Sequence, residues 1–108
     1  MVLTRDFRET LQRRVCKDAR FRRALLTESV NELLSGDLQT GKALLRDYIN
    51  ATIGFTALAE KTERPSKSLQ RMLGPAGNPT ADNLFAIIKV VQEYEDIELK
   101  VKSRTLAA

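Results

Sequence analysis

Along most of the chain, apolar positions recur at the spacing of helix faces, and helix-breaking residues separate one run from the next. Phe7, Leu11, Val15 and Cys16 are spaced by about one turn with arginines between them, which predicts an amphipathic helix from about Thr4 to Asp18. A second helix is expected from about Ala19 to Ser35, with Phe21, Leu25, Leu26, Val30, Leu33 and Leu34 inward and Gly36 as its stop. Asp37 then reads as the N-cap of a third helix, in which Leu38, Leu44, Leu45, Tyr48, Ile49 and Ile53 share a face until Gly54. Beyond Gly54 the elements shorten: Thr56 to Thr62, a turn at Glu63-Arg64-Pro65, then Ser66 to Leu73. Residues 74–79, Gly-Pro-Ala-Gly-Asn-Pro, cannot hold a helix. Thr80 caps a last long helix, with Leu84, Ile87, Ile88 and Val91 along its buried face. The stretch Ile97-Glu98-Leu99-Lys100-Val101-Lys102 alternates apolar and charged residues, as a short strand or extended arm would. Phe7, Phe21, Tyr48, Phe55 and Phe85 are read as core, with Phe55 stapling the entry to the short helices.

Length and composition narrow what this helical chain can do. Its 108 residues suffice for one hydrophobic core and not for two. With no His, no Trp and one Cys, disulfide frameworks, Cys/His zinc sites and His-based acid–base chemistry are excluded. No Gly-rich phosphate cradle and no convergent carboxylates are visible, so neither a catalytic group nor a cofactor or metal is expected. The run Glu93, Glu95, Asp96 and Glu98 reads as a solvated helix end, and Cys16 as core rather than a reactive thiol. The N-terminal segment is studded with arginines, and no apolar run approaches the roughly 20 residues of a membrane span. A cytoplasmic protein with no membrane association and a reduced thiol is therefore expected.

The formal charge of +4 is unevenly spread: +5 over residues 1–25, −2 over 26–62, +2 over 63–79, −4 over 80–99 and +3 over 100–108. A basic surplus favours an acidic partner, nucleic acid first. The arginines of the first helix admit three uses: extending a phosphate footprint, holding a partner protein, or solvating the outer face of a packed helix. The smaller surplus lies on the pair of short helices. There Ala59 supplies the small residue that a close helix crossing needs, Leu58 and Thr62 supply the packing face of the first helix, and Leu69, Met72 and Leu73 that of the second. Ser66, Lys67, Gln70 and Arg71 are left pointing outward. Gln70 suits an adenine edge, Lys67 or Arg71 a guanine edge or a phosphate, and Ser66 sits where helix N–H groups favour a phosphate. A solvated face beside an ordinary helical hairpin explains the same spacing.

From about Phe7 to Val91 the chain resembles the small helix-turn-helix addiction-module antidote proteins of the lambda-repressor-like class. The resemblance is carried by residues 44–55 (LLRDYINATIGF), Leu58-Ala59, residues 65–73 (PSKSLQRML), Gly77-Asn78-Pro79 and Asp82-Asn83-Leu84. It implies an all-α fold: residues 1–36 as an N-terminal helical extension packed on the core, 37–96 as the helix-turn-helix core, and 97–108 as an extended tail. It further implies a homodimer on a palindromic operator in double-stranded DNA, autorepression, and a RelE-like or HigB-like toxin as partner. The expected DNA-contacting set is Ser66, Lys67, Ser68, Gln70 and Arg71 with Asn78 in the following loop. The competing class is a helical module that sequesters a partner protein without specific DNA binding. One position departs from the family pattern: the turn residue that is usually Gly is Glu63, followed by Arg64 where an apolar residue is common. Either the turn is built differently around Pro65, or Glu63 adopts a left-handed conformation.

Overall fold

The computed structural model describes residues 5–107, without the side chains of Arg5, Asp6 and Arg8. Among them the chain is all-helical, with α1 (Arg5–Lys17), α2 (Ala19–Leu34), α3 (Leu38–Ala51), α4 (Phe55–Thr62), α5 (Ser66–Met72) and α6 (Ala81–Glu95). The expected start of α1 at Thr4 lies outside the described residues. No helix among the described residues is long and apolar enough to cross a membrane.

Local chemistry accounts for the boundaries. Asp18 ends α1 and caps α2, its carboxylate accepting from the Phe21 N–H at 3.1 Å. Asp37 does the same for α3 through Thr40 at 3.1 Å, and Thr80 for α6 through Asn83 at 3.2 Å. Helix α2 stops where Gly36 takes φ 92°, a region closed to most side chains. Helix α3 ends at Ala51 with Thr52 as its C-cap, short of the expected stop at Gly54, which at φ 79° is instead the N-cap of α4. Glu63 ends α4 at φ 56°, ψ 40°, so of the two expected turn geometries the chain adopts the left-handed one. The turn closes with the Arg64 N–H donating to the Ala59 carbonyl at 3.1 Å, and it is braced by the Arg64 guanidinium on Asn83 Oδ1 at 2.5 Å and the Thr62 carbonyl at 2.8 Å.

One cluster fills the interior. Leu26 of α2, Leu45, Tyr48 and Ile49 of α3, Phe55 and Leu58 of α4, Leu69 of α5, Leu73, and Ile87, Ile88, Val90 and Val91 of α6 are all buried in it. Helix α2 lies along α3, α1 packs on both, and α4 contacts α5 and α6. Val15 is the buried anchor of α1.

Several expectations about the core fail. Phe85 and Leu34 are 64% and 63% exposed, and Phe7 and Leu38 are exposed as well. Each sits on a helix edge where the core is already closed by neighbours one turn away. Cys16 is exposed rather than core, because Val15 takes the inward position on α1. Of the two expectations for 97–102, no strand forms among the described residues, which leaves the extended arm, with Ile97 and Leu99 packed against the core. Glu95, expected at a solvated helix end, is 4% exposed. Its carboxylate accepts from Tyr48 Oη at 2.5 Å, Arg22 Nε at 2.6 Å and Arg23 Nε at 3.2 Å. Burial pushes that carboxyl up, but the Arg22, Tyr48 and Arg23 hydrogen bonds outweigh it and hold it below the ordinary value of 4.5.

Candidate nucleic-acid interface

Helix α5 is short, seven residues, and its position is set by what its inner face buries. Leu69 and Leu73 are fully buried and Met72 packs against the same cluster, so the opposite face must look outward. Lys67, Gln70 and Arg71, spaced i, i+3 and i+4, are exposed together on that outer face. Among the described residues neither Lys67 nor Arg71 has a hydrogen-bond or ion-pair partner. Lys42, Arg46 and Arg64, by contrast, all donate to protein acceptors. Gln70 donates from Nε2 to Ser66 Oγ at 3.0 Å, one turn back along the helix. Ser66 and Ser68 are half-buried on the flanks of the face, and Asn78 is exposed in the following loop. Of the expected residues, then, the fold brings Lys67, Gln70 and Arg71 onto one accessible face, with Ser66 behind Gln70. Ser68 lies to the side.

The loop after α5 is held as firmly as the helix. Buried Lys42, 4% exposed, donates from Nζ to the carbonyls of Gly74 at 3.1 Å and Gly77 at 2.7 Å. On the same face of α3, Gln39 donates to the Pro75 carbonyl at 2.9 Å and Arg46 to the Leu73 carbonyl at 3.0 Å. Three side chains of one helix thereby donate to carbonyls at the C-terminal end of α5 and in its loop. At Gly77 the backbone passes so close to α5 that a Cβ would land on the carbonyl oxygens of Arg71 and Met72. An open concavity lined by Lys67, Gln70, Arg71 and the 74–77 backbone results, with cations on one wall and loop on the other.

Sequence reasoning missed these α3 anchors. Gln39, Lys42 and Arg46 recur at i, i+3 and i+7, a polar stripe beside the apolar face of α3, and that stripe was the available signal. No protein-family model, no curated protein and no solved structure matches the chain.

Proposed function

We propose that the chain is a sequence-specific DNA-binding transcriptional regulator in which α4 and α5 form a helix-turn-helix of the lambda-repressor-like kind and α5 is the helix that enters the major groove. One observation carries this: Lys67, Gln70 and Arg71 stand exposed on a single face of α5, and the two cations are without protein partners among the described residues. Groove reading needs both features, because base edges and phosphates compete poorly with an internal carboxylate. The clamp from α3 adds support, since a recognition helix transmits sequence only if its register on the body is rigid.

In this proposal Arg71 and Gln70 address base edges and Lys67 a flanking phosphate. Two copies place their α5 helices in successive major grooves of a palindromic site, roughly 34 Å apart. The antitoxin role, with a RelE-like or HigB-like toxin and autorepression of the shared operon, rests on the sequence resemblance and is proposed on that basis.

The test is fluorescence anisotropy of the full chain with the DNA upstream of its own gene, beside a scrambled duplex, at physiological salt. Binding should favour the upstream DNA, and Arg71→Ala should weaken it by roughly 5- to 150-fold. Equal affinity for both duplexes, lost between about 50 and 200 mM salt, would instead indicate the partner-sequestering module.

A further inference from the structure

Residues 97–100 alternate in burial as they do in hydropathy. Ile97 and Leu99 turn toward the core, while Glu98 and Lys100, ion-paired with each other at 3.1 Å, have side chains 75% and 77% exposed. Val101, next on the apolar side, is 81% exposed. It lines an open groove of about 450 Å³ with Val30 and Leu34 of α2, Phe85 and Ile88 of α6, and Leu99. The two large hydrophobics that the fold leaves most exposed on α2 and α6, Leu34 and Phe85, thus line one groove with the exposed Val101 of the tail.

We propose that this segment pairs antiparallel with the same segment of a second copy, centred on Leu99, and that the paired tails cover the groove of both copies. Charge sets this register, and backbone direction sets the edge that pairs. Centring on Leu99 places Glu98 opposite Lys100 in both directions, Ile97 opposite Val101, Leu99 opposite itself, and Lys102 near Asp96. Centring on Glu98 or Lys100 would oppose identical charges, and parallel in-register pairing would stack them.

The N–H groups of Ile97 and Leu99 both turn back to α6, donating to the Gln92 carbonyl at 3.1 Å and to Gln92 Oε1 at 2.8 Å. In an extended chain the polar groups of Glu98 and Lys100 therefore point to the opposite edge. Among the described residues their N–H groups make no hydrogen bond. An antiparallel ladder whose two-fold passes through a non-hydrogen-bonded Leu99 pair takes its bonds from Glu98 and Lys100, the pair left free here. A second copy also supplies the two-fold that a palindromic DNA site requires. The pairing deepens the proposed function but is measurable with no DNA present, so each can fail alone.

Sedimentation equilibrium of the full chain without DNA tests it. The wild type should be a dimer. Lys100→Glu, which sets carboxylates against one another at both symmetry-related positions, should raise the dimer Kd by about 30-fold. The swap Glu98→Lys with Lys100→Glu should restore it. Both side chains are solvent-exposed, so an unchanged circular dichroism spectrum is expected throughout. A wild type that stays monomeric into the high micromolar range, a Lys100→Glu protein that dimerises as the wild type does, or a swap that fails to recover the dimer each overturns the proposal.

Discussion

At the last turn of α6, Glu95 gathers Arg22, Arg23 and Tyr48 around one buried carboxylate. The Arg22 guanidinium also donates from Nη1 to the Val15 and Cys16 carbonyls at the end of α1, at 3.3 Å and 3.1 Å. One arginine thus ties α1, α2 and α6 together, and the carboxylate in turn holds that arginine more firmly protonated than usual. Burial, then the bond to Glu95, raises the Tyr48 hydroxyl, so it stays a donor at any ordinary pH. Because the folded Glu95 carboxyl lies below 4.5, the stabilisation from its charge is complete above that pH and fades as pH falls through the folded value. Glu95→Gln should cost about 3 kcal/mol at pH 7 by leaving the partly buried Arg22 under-paired. Denaturant unfolding against pH should show the gap between wild type and variant narrowing below pH 4.5. A gap that is the same at pH 3 and pH 7 would remove the charge from the explanation.

Glu63 is a second case where one residue reveals what its surroundings impose. A left-handed conformation costs a non-glycine residue of order 1 kcal/mol, and here the Arg64 bridge to Asn83 and the closing turn bond hold it.

At the scale of elements, α3 is the scaffold on which α5 and its loop are mounted. An ammonium held by two carbonyls in a buried position is a directional clamp, and its removal takes a charged donor from both acceptors at once. Lys42→Met, which keeps the stem and removes the charge, should cost about 2 kcal/mol. Its signature is local: hydrogen exchange at the Gly77 N–H, bonded to the Gly74 carbonyl at 3.0 Å, should speed up while the Ile87 and Ile88 amides of α6 stay protected. Uniform acceleration across α6 would mean that Lys42 supports the whole fold and not the loop.

Much of the element order was legible in the sequence. Asp18 as the end of α1, Asp37 and Thr80 as caps, Gly36 as a stop, and the glycine–proline loop all act through bonds spanning five residues or fewer, within reach of a local pattern. The exposed trio on α5 was legible too, because helical periodicity sorts the two faces of a single helix. The apolar edge positions were not. Leu34 and Phe85 carry the same periodic signal as buried leucines, and only the packing angle of α2 and α6 decides which stripe closes first.

For the whole molecule, net charge is a poor guide and its distribution a better one. The surplus at the N-terminal end is partly engaged internally: Arg22 and Arg23 serve Glu95, and Arg14 lies 4.3 Å over the Phe21 ring. Lys67 remains available. If each copy in a dimer sets Lys67 on one phosphate, Lys67→Ala should lower the slope of log K against log salt by about 2. Anisotropy titrations across salt concentrations measure this, and an unchanged slope would take Lys67 off the backbone.

Helix order, caps, stops and the outward trio on α5 were determined by sequence alone, because each depends on residues within a turn or two of one another. Tertiary structure decided which charges are free and which are consumed. Glu95 meets Arg22 across 73 positions and Lys42 meets Gly77 across 35, and no local pattern encodes a pairing that forms only when separate helices pack.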